Sequence, residues 1–155
     1  ARGGEGMVEA KRIKVVCTNR KARFDFQIDE VYEAGIVLKG PEVKSLRAGT
    51  ANLRDSYVWI KEGEAIMENF HISPYPASRE RLDPLRPRKL LLHKKEIMRL
   101  MGKTQQRGYT LVPLRVYFKK GLAKTEFGVA RRKKLYDRRE ELKKRAMERE
   151  LRRRE

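Results

Sequence analysis

From Lys133 onward apolar side chains are too sparse to form a buried face: Leu135, Leu142, Ala146, Met147 and Leu151 are scattered among charges. A segment that cannot bury apolar area cannot offset the entropy lost on ordering it. The core must therefore be built by the residues before it, from about 21 to 130, which is one domain's worth of chain. Between Arg131 and Glu155 there are 13 Lys/Arg against 6 Asp/Glu, a net of +7, leaving +11 of the formal +18 on the rest. Positive charge over both body and tail selects a polyanionic partner, and nucleic acid is the commonest in a cell. The alternative is a basic protein with a solvated tail and no nucleic-acid role.

Within the core-forming stretch the patterns are those of strands. Phe24, Phe26 and Ile28 alternate with Asp25 and Gln27, and Val31-Tyr32 leads into Gly35-Ile36-Val37-Leu38. Leu53 to Ile60 reads as a second strand, with Val58 and Ile60 on one face and Tyr57 and Trp59 on the other. Glu64 to Ile72 is a third, joined to it by the turn Lys61-Glu62-Gly63. Tyr109 to Phe118 and Ala123 to Ala130 follow, linked at Lys119-Lys120-Gly121, and Pro113 calls for an edge or a bulge.

Two helices fit between the strands. Pro41 and Glu42 suit the first turn of one that puts Val43 and Leu46 on one face and stops at Gly49. The other runs from about His93 to Met101, with Ile97, Leu100 and Met101 at i, i+3 and i+4 and Gly102 as its stop. Four of the six prolines fall between Ser73 and Pro87, which reads as a surface loop. The sum is a small, mainly β barrel with two or three short helices.

The ends read differently. Residues 1 to about 20 start Gly-rich and turn basic at Lys11, Arg12 and Lys14, an expected mobile segment. The tail, 131 to 155, has no Pro or Gly and carries acid-to-base pairs at i, i+4: Glu140–Lys144, Glu141–Arg145, Glu148–Arg152 and Glu150–Arg154. It is expected to be disordered when free and helical on a phosphate surface. A helix packed on the body or a strand of a coiled coil is the alternative.

No glycine-rich phosphate loop precedes a helix, and no Cys/His cluster has metal-ligand spacing, so no metal or cofactor is expected. His71 and His93 adjoin no evident acid or nucleophile, and Cys17 between Val16 and Thr18 reads as a small apolar residue. Nothing argues for an enzyme. No apolar run approaches the roughly 20 residues of a membrane span, Ala1 to Gly6 lacks the core of a secretion signal, and one cysteine suits a reducing cytoplasm. A cytoplasmic protein with no membrane partner is the expectation.

Several runs together resemble the SsrA-binding protein (small protein B) family of bacteria. They are Asn19-Arg20-Lys21-Ala22-Arg23, Tyr32-Glu33-Ala34-Gly35-Ile36-Val37-Leu38, Glu42-Val43-Lys44-Ser45-Leu46-Arg47-Ala48-Gly49 and Asp55-Ser56-Tyr57-Val58. Asn52-Leu53, Arg88-Lys89-Leu90-Leu91-Leu92 and Lys133-Lys134 with Asp137 extend the match over about residues 19 to 145. The resemblance implies an oligonucleotide-binding-like barrel that binds transfer-messenger RNA in trans-translation. Such a protein enters a stalled ribosome with the tRNA-like part of that RNA, supplies the shape of the missing lower half of a tRNA, and lays its tail in the empty mRNA channel near the decoding centre. It makes and breaks no bond. Elongation factor Tu with GTP and alanyl-tRNA synthetase are then reached through the RNA.

The same resemblance, read with the chemistry of each side chain, nominates an RNA face. Asn19, Arg20, Lys21 and Arg23 suit phosphates and a base edge. Glu33 suits acceptance from a base amino group or orientation of a neighbouring Arg, and Leu91, which on pattern alone belongs in the core, falls on the family's RNA face. Lys44 and Arg47 leave their helix opposite Val43 and Leu46, and Lys89 and Lys124 complete a basic rim. Tyr57 or Trp59 offers a stacking ring, with the other turned to the core. In the tail, Lys133, Lys134, Arg138 and Arg139 suit ribosomal RNA phosphates, and Tyr136 offers a second ring. The run Glu141-Leu142-Lys143 matches the family's tail motif, with Leu142 as packing anchor in the channel. Phe24 departs from the family's usual His, Tyr136 from a His held in some members, Arg132 from the usual Gly, and Lys144 from an acid.

Overall fold

Side chains that alternate between inside and outside in β2, β4, β5 and β7, and near-continuous buried runs in β8 and β9, mark the sheet of a chain with nine strands among the described residues: β1 (Ile13–Thr18), β2 (Phe26–Ile36), β3 (Ala51–Asn52), β4 (Tyr57–Lys61), β5 (Glu64–Glu68), β6 (His71–Ile72), β7 (Arg88–Leu91), β8 (Tyr109–Lys119) and β9 (Leu122–Arg132). Helices α1 (Ala22–Asp25), α2 (Gly40–Arg47), α3 (Lys94–Thr104) and α4 (Leu135–Arg154) interrupt and follow them. This computed structural model describes residues 13–154, and at Leu135, Tyr136, Asp137 and Arg154 the backbone alone. The readings placed on residues 1–12 and on the Tyr136 and Asp137 side chains lie outside it.

Strands β8, β4, β5, β7, β2 and β9 pair in that order, all antiparallel, and β9 returns to β8. Six strands thus close a ring, while β1 adds to the far half of β8 and β3 pairs with β6 apart from it. Ala34, Val58, Ala65, Met67, Leu90, Leu111, Val116, Phe127 and Val129 fill the interior, joined by Leu46 of α2 and Leu100 of α3. The mainly β barrel expected from the sequence is the fold.

The hairpin turns are as the sequence required. Glu62 (φ 52°) and Gly63 (φ 76°) join β4 to β5, and Lys120 (φ 52°) and Gly121 (φ 77°) join β8 to β9. Left-handed backbone at both central positions gives the turn a twist that matches the strands it connects. Pro113 sits at a bulge, where the register of β8 against β9 shifts between Pro113 and Arg115. With no N–H, proline would break a regular ladder, and the bulge removes the demand.

Four expectations are corrected, and one strand was not foreseen. Residues 13–18, assigned to the mobile N-terminal segment, form β1, because Val15, Val16 and Cys17 make a strand that pairs with Arg115–Lys119. Phe24 is in α1, not a strand: Lys21 O accepts the amides of Phe24 (3.1 Å) and Asp25 (2.9 Å), and extension begins at Phe26. Arg88–Leu91 is a strand of its own, its buried and exposed residues alternating over only four positions. Gly102 does not end α3, which runs on to Thr104, whose hydroxyl donates to Leu100 O at 2.9 Å. Tyr57 and Trp59 both face outward, 40% and 38% exposed, since residues two apart on a strand share a face.

Residues 135–154 form one helix, as their helix-forming composition without Pro or Gly favours. Glu141 meets Arg145 at 3.5 Å as the i, i+4 spacing required, while Glu140 turns to Lys143, three residues on, at 3.7 Å. Such pairs contribute only about 0.2–0.5 kcal/mol each. What the spacing did not show is that the first turns are held by the body: Lys133 N donates to Asp25 O (2.8 Å), and Arg138 Nη1 lies 3.6 Å from Asp25 Oδ1. α4 starts on an anchored base.

One buried acid organises the proline-rich loop after β6. Glu42, at the start of α2, accepts from the Lys39 amide (2.9 Å), from Arg86, and from Arg88 Nε (2.7 Å). Arg88 is itself buried and also donates to Pro84 O (3.1 Å) and Phe70 O. Burial pushes the Glu42 carboxyl up, but the guanidinium groups and the amide outweigh it and hold it below the ordinary carboxylate range.

Candidate nucleic-acid interface

Two surface depressions carry most of the expected RNA-binding residues. The first begins where β1 ends. The Asn19 amide donates to Leu114 O (2.7 Å) and its Nδ2 to Pro113 O (3.1 Å), so Asn19 clamps the bulge in β8 while Arg20 and Lys21 turn outward. Facing them is the β3–β4 connection, where Asn52 Oδ1 accepts the Arg54 amide (3.2 Å) and Asp55 takes left-handed backbone (φ 61°). An open groove runs between the two walls, lined by Arg20, Lys21, Asp25, Asn52, Arg54 and Asp55. Arg20, Lys21 and Arg54 have no carboxylate partner among the described residues. Unpaired cations facing each other across a groove are what a strand of phosphodiesters requires.

The second depression lies on the barrel wall, lined by Glu33, Gly35, Leu91, Leu92, His93, Glu96 and Lys124. Its floor is set by register, for Gly35 pairs with Leu91 on one side and with Lys124 on the other. Leu91 is 57% exposed, against 1% for its neighbour Leu90. Core packing, the reading its apolar run suggested, is therefore wrong for Leu91. Glu33 accepts from the Tyr117 hydroxyl and from Lys124 Nζ (3.3 Å), with Lys119 Nζ at 3.5 Å from its other oxygen. Partial burial raises its carboxyl, but the phenol and the two ammonium groups prevail and hold it below the ordinary range. Tyr117 is pushed well above a normal phenol by burial and by the Glu33 charge. The carboxylate is thus a fixed anion between two lysines, on a surface that also presents an apolar side chain.

Other expected residues stand apart from both depressions. Lys89, on the same outward face of β7 as Leu91, pairs with Glu64 at 3.1 Å. Lys44 Nζ lies 5.4 Å from the centre of the Tyr75 ring, and Arg47 5.6 Å from that of Phe118. Tyr57 presents its ring outward, as does Trp59, whose indole donates to Glu68 Oε1 at 3.1 Å. Arg23 is exposed, and its carbonyl accepts Lys133 Nζ at 2.9 Å. In the tail, Lys133 and Glu141 pair with each other, Arg138 pairs with Asp25, and Lys134, Arg139, Leu142 and Lys143 lie exposed.

Sequence reasoning did not nominate Arg54, Lys119 or Tyr117. The signal for the last two was present. The tight turn at Lys120-Gly121 puts Lys119 opposite Leu122 and Tyr117 opposite Lys124, and Lys124 was already a candidate. For Arg54 there was no signal, because its partners across the groove are more than thirty residues away.

Cys17 is half-buried, and burial pushes its thiol up to about 11, which leaves it protonated and unreactive near neutral pH. Among the described residues no group of three or more His, Cys, Asp and Glu is placed to hold a metal ion. No helix among them is long and apolar enough to cross a membrane.

The profile of the family described as "SmpB protein" matches residues 16–155. The SsrA-binding protein of Desulforudis audaxviator is 60% identical over 139 residues, covering 89% of this chain and 91% of that protein. That of Geobacter sulfurreducens is 58% identical over the same length, covering 89% and 91%. Among solved structures, a chain from "tmRNA-SmpB: a journey to the center of the bacterial ribosome" matches with a TM-score of 0.65 and 53% identity, over 76% of this chain and 84% of that one. A closed six-stranded barrel and similarity along nearly the whole chain agree, and the chain belongs to the SmpB family of SsrA-binding proteins.

Proposed function

We propose that this protein binds transfer-messenger RNA and brings it to stalled ribosomes for trans-translation. The observation that carries the reading is the wall cleft, where exposed Leu91 stands beside Glu33, itself fixed between Lys119 and Lys124. An apolar contact, a held acceptor and flanking cations together recognise an unpaired base on its phosphate backbone, which plain positive charge does not. The groove between Arg20, Lys21 and Arg54 takes a further stretch of the same RNA.

The protein works by occupancy and shape, with no bond made or broken. Its barrel stands in for the lower half of a tRNA, and α4 lies along the vacant mRNA channel, where Lys134, Arg139 and Lys143 meet ribosomal RNA phosphates and Leu142 packs as an anchor. Elongation factor Tu with GTP and alanyl-tRNA synthetase act on the same RNA rather than on this chain, and the place of action is the cytoplasm.

Equilibrium binding to transfer-messenger RNA, competed with bulk tRNA at moderate salt, tests this. Strong preference for the first RNA, reduced at least tenfold by Leu91→Glu with the fold intact, is the expected result. Equal affinity for both RNAs would leave only a general basic RNA binder.

A further inference from the structure

Asp25 belongs to two places at once. It lines the groove with Arg20, Lys21 and Arg54, and it is the body's acidic contact to the tail through Arg138, at 3.6 Å. Its carbonyl also takes the Lys133 amide, and Lys133 Nζ reaches Arg23 O two residues back. Along α4 the docked residues Arg138, Glu141 and Arg145 fall at i, i+3 and i+7, a single stripe of the helix. Arg145 ends that stripe over the Phe24 ring, 5.3 Å from its centre. Every body residue in this joint lies within α1, which follows directly on Arg20 and Lys21.

We infer that Asp25 is a positioning residue that couples RNA in the groove to docking of the tail helix. The inference rests on the reading that the groove takes RNA. With α4 docked, Arg138 neutralises Asp25, and the groove presents Arg20, Lys21 and Arg54 to an incoming phosphate against Asp55 alone. With α4 released, Asp25 becomes an uncompensated anion on the wall of the same groove and repels that phosphate. Because linkage is reciprocal, RNA that fills the groove favours the docked tail by the same factor. For one half-buried charge a few ångströms from a phosphate, the factor is about threefold to tenfold and shrinks as salt rises. Docking spends only one stripe of α4. Arg139, Leu142 and Lys143 stay exposed for a further partner, so a loaded protein carries its tail in a set direction.

A double-mutant cycle on the full chain tests this, with a short single-stranded oligouridylate as the probe. Arg138→Ala is expected to weaken binding about threefold to tenfold, and to have no effect in the Asp25→Asn background. Equal losses in both backgrounds would mean that Arg138 touches the phosphate itself and would overturn the coupling, as would no loss at all. A second measurement keeps Asp25 in place: spin labels at Glu62→Cys and Glu148→Cys in a Cys17→Ser chain. Adding the oligonucleotide should narrow their distance distribution, and an unchanged or broader one would overturn the inference. If Lys21→Ala and Arg54→Ala leave binding untouched, the groove reading itself falls, independently of the cycle.

Discussion

Glu42 answers to three donors at once, and the loop between β6 and β7 hangs from it. Replacing it by Gln leaves Arg88 buried without a counter-charge, a change that costs about 3–5 kcal/mol in comparable sites. Urea unfolding of Glu42→Gln should show that loss. Because the folded carboxyl is held below its ordinary range, its contribution is complete above the unfolded value of about 4.3 and disappears as pH falls from there through the folded value. The stability of the wild-type chain should therefore decline on acidification below about 4.3, and that of Glu42→Gln less steeply. Glu33 makes a second residue-scale prediction. In Glu33→Gln the Tyr117 phenol loses the charge that holds its proton, so its titration, followed by ultraviolet absorbance, should move to lower pH. Neither role was legible beforehand. Glu42 read as a helix-start acid and Glu33 as an RNA contact, since Arg88 and Tyr117 lie 46 and 84 residues from them in sequence.

At the scale of elements, two glycines in regular structure should respond oppositely to Ala. Gly102 lies inside α3 with nothing within 4 Å of an added Cβ, so Gly102→Ala should stabilise by about 0.5–1 kcal/mol. At Gly128 in β9 the added carbon would meet Ile28 Cγ2 at 2.6 Å and the Glu30 carbonyl at 3.3 Å. Gly128→Ala should cost about 1–3 kcal/mol as β2 is forced aside. Thermal unfolding of the two variants checks both signs. What was legible at this scale were features carried by neighbouring residues: the two hairpin turns, the bulge at Pro113, and the start of α2 at Pro41-Glu42. What escaped were features decided by distant pairing. β1 needs β8 to become a strand, the four residues of β7 need β2 and β5 on either side, and Gly102 looks like a stop only until the helix continues past it.

For the whole molecule, the expectation is a division between a body that holds RNA and a tail that senses the ribosome. Ending the chain after Lys134 removes α4 while keeping the pairing of Arg132 with Phe26. Such a chain should still bind transfer-messenger RNA, with any loss confined to the threefold-to-tenfold tail coupling, but should not support tagging on stalled ribosomes; persistent tagging in a translation assay would refute the division. Binding should also weaken steeply with salt. Each of Arg20→Ala, Lys21→Ala and Arg54→Ala should reduce the logarithmic slope by about 0.7, the value for one phosphate on a single strand. The path of the chain around the barrel has a different consequence, one for its own manufacture. The ring is shut by β9, which must reach both β2 and β8. A copy whose synthesis halts before residue 122 keeps an open seam, with strand edges and core exposed to proteases and to other chains. Half-made copies of this protein therefore present themselves for disposal, and only a body read through its last strand competes for RNA.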